Sequence, residues 1–247
     1  MVKLLVFCTK IIAATIAAIL FSSCHIKDID FGNGIDGNGN VSKQTRNVEN
    51  NFSKIEVSRG LNVTLEQSET YFVEVEADQN LLEHITTRVE NGTLIISSDE
   101  NIDEAKAKNI LVRFPLLNSL EATSGSSVST NGIFTGTDVT IKTSSGSEAI
   151  LALEIDNITC ESTSGSTLKI RGKALQLNTA SSSGSSIEAQ ELLANDVISQ
   201  STSGSSTNVN PLVSLNAKSS SGSSIDFKGS PKTVIKEESS GGSVSKE

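Results

Sequence analysis

From about residue 118 onward the chain repeats itself, and that repeat constrains the fold more than any other feature. The dipeptide Ser-Gly returns with its glycine at Gly125, Gly146, Gly165, Gly184, Gly204, Gly222 and Gly241, in steps of 21, 19, 19, 20, 18 and 19 residues. The residue before the glycine is always Ser, from Ser124 to Ser240, and the one before that is Ser or Thr, from Thr123 to Ser239. Seven places ahead of the glycine stand Asn118, Val139, Ile158, Leu177, Val197, Leu215 and Val234; five ahead stand Leu120, Ile141, Cys160, Thr179, Ser199, Ala217 and Lys236. Three after it come Val128, Ala149, Leu168, Ile187, Thr207, Ile225 and Val244. Apolar residues spaced by two on either side of a fixed glycine spell strand, turn, strand.

A unit of about 19 residues is too short for a propeller blade and has no helical period. Stacked coils remain, each strand pairing with its equivalent in the next coil at roughly 4.8 Å. Aliphatics do not recur every six residues, as a left-handed β-helix would require. The expected fold is therefore all-β, a right-handed parallel β-helix (β-solenoid) with an N-terminal β insertion acting as a cap. Stacking puts equivalent residues above one another, so the Ser and Thr columns at the corner are expected to form hydroxyl ladders that both donate and accept. The seven glycines are read as structural corner residues, supplying either a backbone angle closed to other residues or room between coils.

The same frame fits at Gly60, within SKIEVSRGLNVTLEQ. The chain then leaves the short repeat, with alternating runs near Phe72–Val75 and Ile85–Val89, and an Asn91-Gly92 pair that suits a tight hairpin into Leu94–Ser97. AKNILVRFPLL follows as a strand ended at Pro115. This insertion is expected to close the N-terminal mouth, since an open coil end invites edge pairing. At the other mouth Lys236 and Glu238 replace core-type residues and mark the last coil as a cap.

Residues 1–23 have a basic start (Lys3, Lys10), an apolar run from Ile11 to Phe21 and two small residues before Cys24. This is the pattern of a secretory signal, too short to span a membrane. It resembles a bacterial lipoprotein signal, with Phe21 where Leu is usual, and the resemblance implies acylation of Cys24 as the mature N-terminus and attachment to a membrane. Removing 1–23 takes away Lys3 and Lys10 and no acid, moving the formal charge from −9 to −11. Cys8 goes with the signal and Cys24 with the lipid, which leaves Cys160 without a disulfide partner. Residues 24–50, with GNGIDGNGN at their centre, read as a Gly/Asn-rich flexible tether. The body is expected to run over 51–247.

An acidic chain with 4% aromatic residues and no Trp is a poor nucleic-acid binder. His25, His84 and the three cysteines are too scattered for a zinc site, and Asp30 and Asp36 lack the remaining ligands of a calcium loop. No metal, cofactor or catalytic residue is expected. The coil charges Lys142, Glu148, Glu154, Asp156, Lys169, Arg171, Lys173 and Glu188 are read as occupying different frame positions, so that no pair forms a repeating column of the sort a polysaccharide lyase or hydrolase would need. No serine has a nearby His base, and His84 is read as a partly exposed strand residue. Sugar stacking usually uses Trp or Tyr, and the chain has only Tyr71.

FSKIEVSRGLNVTLEQ, VEADQNLLEHITTRVENGTLII and the serial SGSS corners together resemble the putative auto-transporter adhesin, head GIN domain family, over roughly residues 50–247. The resemblance implies a right-handed parallel β-helix in the cell envelope of Bacteroidetes, lipid-anchored at the outer membrane, with no established catalytic residues. The expected function is a non-catalytic envelope lipoprotein, an adhesin that contacts a cell-surface macromolecule or glycan. The alternatives are a periplasmic structural or envelope-stress scaffold, and a polysaccharide-binding or polysaccharide-degrading β-helix.

Overall fold

The computed structural model describes residues 34–247. Residues 1–33, which include the segment read as a signal (1–23), Cys24, His25 and the first part of the segment read as a tether, lie outside the described residues. Seventeen strands form one continuous sheet. In chain order they are β1 (Val41–Thr45), β2 (Lys54–Val57), β3 (Asn62–Gln67), β4 (Phe72–Asp78), β5 (Ile85–Glu90), β6 (Thr93–Ser98), β7 (Lys108–Phe114), β8 (Ser119–Ala122) and β9 (Ser127–Thr130). They continue as β10 (Phe134–Thr143), β11 (Glu148–Ser162), β12 (Thr167–Ser181), β13 (Ser186–Ser201), β14 (Ser206–Ser220), β15 (Ser224–Phe227), β16 (Thr233–Ser239) and β17 (Ser243–Lys246). One 3-10 turn, Gln79–Leu81, interrupts them.

From β8 onward the strands wind as a parallel β-solenoid of coils about 19 residues long, about seven turns in all with the N-terminal coils. The repeat maps directly onto the register. Ile141 lies beside Cys160, Cys160 beside Thr179, Thr179 beside Ser199, Ser199 beside Ala217 and Ala217 beside Lys236. Past the corner, Val128, Ala149, Leu168, Ile187, Thr207, Ile225 and Val244 stack the same way. Alternate residues point inward, so both columns are buried until Lys236. Each fully buried Leu, Ile or Phe contributes roughly 1.5–3 kcal/mol. The interior changes character along the axis: Phe52, Phe114 and Phe134 stack at 5.6 and 5.4 Å in the N-terminal layers, whereas Thr179, Ser199 and Ala217 fill the later coils.

The start of the solenoid is interleaved. β2 pairs with β6 on one side and β8 on the other, and β3 pairs with β7 and β9, so the coil built from β2 and β3 is sandwiched by later chain. β5 turns back onto β6 through Asn91 (φ 51°) and Gly92 (φ 75°). β4 runs antiparallel on β7, and β1 runs antiparallel on β4 as the outer edge. Lys43 on that edge lies 3.1 Å from Glu74 and 3.7 Å from Glu76, a charged rim of the kind that discourages further pairing.

The tether reading fails for residues 34–50. Ile35 bridges to Ile102, Gly37 N–H donates to Glu104 O (2.7 Å), β1 pairs along β4, and Arg46 Nη2 donates to the carbonyls of Leu82 (2.5 Å) and Ile85 (3.1 Å). The glycines in this segment provide clearance as well as freedom. Asp78, wholly buried, accepts N–H bonds from Gly39 (3.1 Å), Lys106 (3.2 Å) and Ala107 (3.2 Å), and the chain passes so close at Gly37 that only a residue without Cβ fits there. Composition suggested flexibility, but these glycines let the backbone wrap a buried carboxylate.

Candidate binding face

Each corner is a turn of two successive left-handed residues: the serines have φ of 48–56° and the glycines 68–77°. That is the φ signature of a type I′ turn, which suits the twist of flanking strands. At Gly184 the turn closes through Ser185 N–H to Ser182 O (3.2 Å), and the glycine N–H reaches Ser203 O of the next coil (3.1 Å). A Cβ on Gly184 would meet nothing within 4 Å, so the angle, and not the space between coils, demands glycine here. The first coil uses Arg59 (φ 61°) and Gly60 (φ 66°) for the same turn.

The hydroxyl ladders do not include the serine next to the glycine. Ser124, Ser145, Ser164, Ser183, Ser203, Ser221 and Ser240 point to solvent and bond nothing between coils through their side chains. Inter-coil rungs form two places ahead of the glycine, as in Ser182 Oγ to Thr163 Oγ1 (3.1 Å) and Ser220 Oγ to Thr202 Oγ1 (3.2 Å). They also form inside the coil, where Ser181 Oγ meets Ser201 Oγ (2.7 Å), Ser205 Oγ (3.0 Å) and Thr207 Oγ1 (2.8 Å). A third set follows the glycine. Ser185 Oγ donates to Ser162 O (2.6 Å) and accepts from Ser182 N–H (3.1 Å), with the same double bond at Ser147, Ser205 and Ser223. Six serines at that frame position, Ser126 to Ser223, were a readable signal of this role.

The charges do form columns, contrary to the sequence reading. Lys142 pairs with Glu161 (2.9 Å), Glu154 with Lys173 (3.5 Å) and Lys218 with Glu237 (3.2 Å), each pair sharing one frame position on adjacent coils. The Glu161 carboxylate beside Lys142 raises its pKa above the usual lysine value. These exposed pairs alternate in sign along the stack, contribute little each, and do not gather acids on one face. His84 lies in the turn before β5 instead of in a strand, and its ring contacts the carboxylates of Asp99 (3.0 Å) and Glu83 (3.9 Å), not a serine. Tyr71 packs edge-on against Phe52 in the N-terminal layers, away from the coil faces. Cys160 is wholly buried, and burial pushes its thiol pKa far up, which makes it an inert core residue.

On the strand leading into each corner, the outward side chains make a flat face of three columns. It is polar and cross-linked, with Asn157 Nδ2 donating to Asp138 Oδ1 (2.9 Å) and Ser214 Oγ to Asp196 Oδ1 (2.6 Å). Two shallow grooves cross it. One, of about 400 Å3, has Ala180 as a floor between Glu161 and Lys218, with Thr163, Ser182, Thr202 and Ser220 along its wall and Gln200 beside it. The other, about 420 Å3, alternates Asn178, Ile198, Asn216 and Ile235, and leaves Ile198 49% and Ile235 52% exposed. The first groove exists because Ala180 breaks the column of long side chains that includes Lys142, Glu161, Gln200, Lys218 and Glu237. Among the described residues no cluster of three His, Cys, Asp or Glu side chains is placed to hold a metal, and no helix is long and apolar enough to cross a membrane.

Residues 51–231 match the family described as putative auto-transporter adhesin, head GIN domain. No curated protein matches the chain. Among solved structures, a putative adhesin from Bacteroides fragilis superposes with a TM-score of 0.81 at 22% identity, covering 87% of this chain and 100% of that one. A putative adhesin from Parabacteroides merdae gives 0.69 at 18% identity, with 87% and 100% coverage. A protein described as a putative lipid binding protein from Parabacteroides distasonis gives 0.70 at 20% identity, with 86% and 99% coverage. At these identities the likeness concerns the fold.

Proposed function

We propose that this chain, which belongs to the putative auto-transporter adhesin, head GIN domain family, is a non-catalytic cell-envelope adhesin that binds a macromolecule along the flat face leading into the corners. The observation that carries this reading is the groove over Ala180. It offers a hydroxyl wall, an amide and two opposite charges about three coil spacings, roughly 14 Å, apart, on a scaffold whose repeat holds them rigid. Such a surface suits many spaced hydrogen bonds to an extended polar partner more than deep enclosure of a small molecule. With Tyr71 packed elsewhere, the face lacks the aromatic platform most sugar sites use, which favours a protein partner over a glycan. The lipoprotein-like segment ending at Cys24 supports attachment to the outer membrane.

The test is binding of fluorescent full-length mature protein to intact cells, extracellular matrix proteins and a glycan array, beside an Ala180→Arg variant that fills the groove. Loss of a saturable signal in the variant, at unchanged melting temperature, supports the face. Equal binding by both proteins rejects it. Protease shaving of whole cells and fatty-acid labelling with and without Cys24→Ser test the location and the anchor. A Cys24→Ser protein that still takes up label would reject lipidation.

A further inference from the structure

The last coil differs from all the others at its two inward positions. Where earlier coils carry Leu120, Ile141, Cys160, Thr179, Ser199 and Ala217, this one has Lys236. Where they carry Ala122, Thr143, Ser162, Ser181, Ser201 and Ser219, it has Glu238. Both long side chains reach across the open mouth from β16 to β17. Lys236 Nζ donates to Val244 O at 2.8 Å and lies 5.2 Å from the centre of the Phe227 ring, roofing the core. Glu238 Oε1 accepts from Val244 N–H at 2.5 Å.

Which Val244 groups these are gives the pair its meaning. In β17, Ser243 N–H bonds back to Ser223 O and Glu247 N–H to Phe227 O. Backbone groups of a parallel strand alternate sides, so those of Val244 face away from β15, toward the position a further strand would occupy. Both are occupied by side chains of the same coil. An inward ammonium and an inward carboxylate also make the mouth costly to bury, since covering them would strip both of water.

We propose that Lys236 and Glu238 form an intramolecular stop that prevents a second copy of this chain from pairing with the β16–β17 edge. The blocked partner is the same edge of a second copy, approaching about a twofold axis, because both edges at the opposite end carry charges of their own, Lys43 on β1 and the Arg88–Glu90 pair on β5.

The experiment is sedimentation velocity on full-length mature protein against Lys236→Ala/Glu238→Ser, which gives the last coil the residues of the coil beneath it, Ala217 and Ser219. Circular dichroism confirms that each protein is folded. The proposal expects the double variant to self-associate with rising concentration to about twice the parent mass. A folded double variant that keeps the parent's mass over the whole range overturns it. If the double variant does not fold, Lys236→Met, which keeps the length and loses the charge, is held to the same criterion. Adding Lys246→Pro removes an edge donor and should restore the parent's mass. Association that survives this change places the contact elsewhere and also overturns the proposal.

Discussion

The backbone at Gly37 passes so close to the buried carboxylate of Asp78 that a Cβ built on Gly37 would collide with Asp78 Oδ2. The two residues are 41 positions apart, and their approach seats residues 34–40 against the body. Burial pushes the Asp78 carboxyl toward protonation, but the N–H groups of Lys106, Gly39 and Ala107 and the Lys106 charge outweigh it, so the group titrates below the ordinary carboxylate value.

Acid should therefore loosen this strap. A depressed folded-state pKa means that the stabilising contribution is complete above the unfolded value, near 4, and disappears as pH falls through the lower folded value. Protection of the Gly37, Gly39 and Ala107 amides, taken relative to the intrinsic exchange rate at each pH, should fall on acidification through that window, and Asp78→Asn should show reduced protection already at neutral pH. Unchanged protection in both cases would mean that other contacts hold the segment.

Gly172 should be the least replaceable glycine of the coils. It has φ of 123° just past an irregularity in the β12–β13 register between Lys169 and Arg171, and a Cβ there would collide with Leu153 O. Gly172→Ala is expected to lose about 3 kcal/mol or more, and Gly184→Val, which meets open space at a left-handed angle, about 2 kcal/mol. Thermal melts that rank the two in the opposite order would place the strain at the corner instead.

Ser183→Asn should stabilise the protein. The residue sits at φ 54° with an exposed side chain, and Asn tolerates that region better than Ser and is favoured before Gly in this turn. A gain of about 0.5 kcal/mol is expected, read as a higher melting temperature.

Neighbouring serines should respond unequally to alanine. Ser185 Oγ both donates and accepts inside the wall of the coil, so Ser185→Ala removes one of two bonds at Ser162 O and at Ser182 N–H, which stay paired with each other at 3.0 Å, and should cost about 1 kcal/mol. Ser183→Ala removes a solvent-facing hydroxyl and should stay within about 0.5 kcal/mol. Equal shifts in denaturant midpoint would contradict the assignment of the ladder.

The solenoid was legible because parallel in-register stacking converts a sequence period into spatial columns: Val139, Ile158 and Leu177 recur at one frame position and are buried one above the next. The corner was legible for the same reason, since Ser-Gly satisfies a local backbone requirement. Gly172 stood outside the frame, and only the proximity of Leu153 O explains it. Residues 34–50 were misread because glycine chosen for clearance looks the same in composition as glycine chosen for freedom, and Asp78, which decides between them, lies far along the chain. The groove rests on one small residue, Ala180, among long neighbours; its effect becomes visible only once the column it interrupts is laid out as a surface.

The interleaved start sets a direction for folding. Beyond residue 130 each new coil needs only its predecessor, about 19 residues back, as a template, so growth there proceeds by short loop closures. The coil of β2 and β3 cannot be finished that way, because its second neighbour, β8–β9, lies 65 residues further along the chain. The folding chain must hold Ile55, Val57, Val63 and Leu65 half covered until Leu120 and Val128 pair with them, a longer loop closure than any between the later coils, so this stretch is expected to form slowly and the rest to zip onto it.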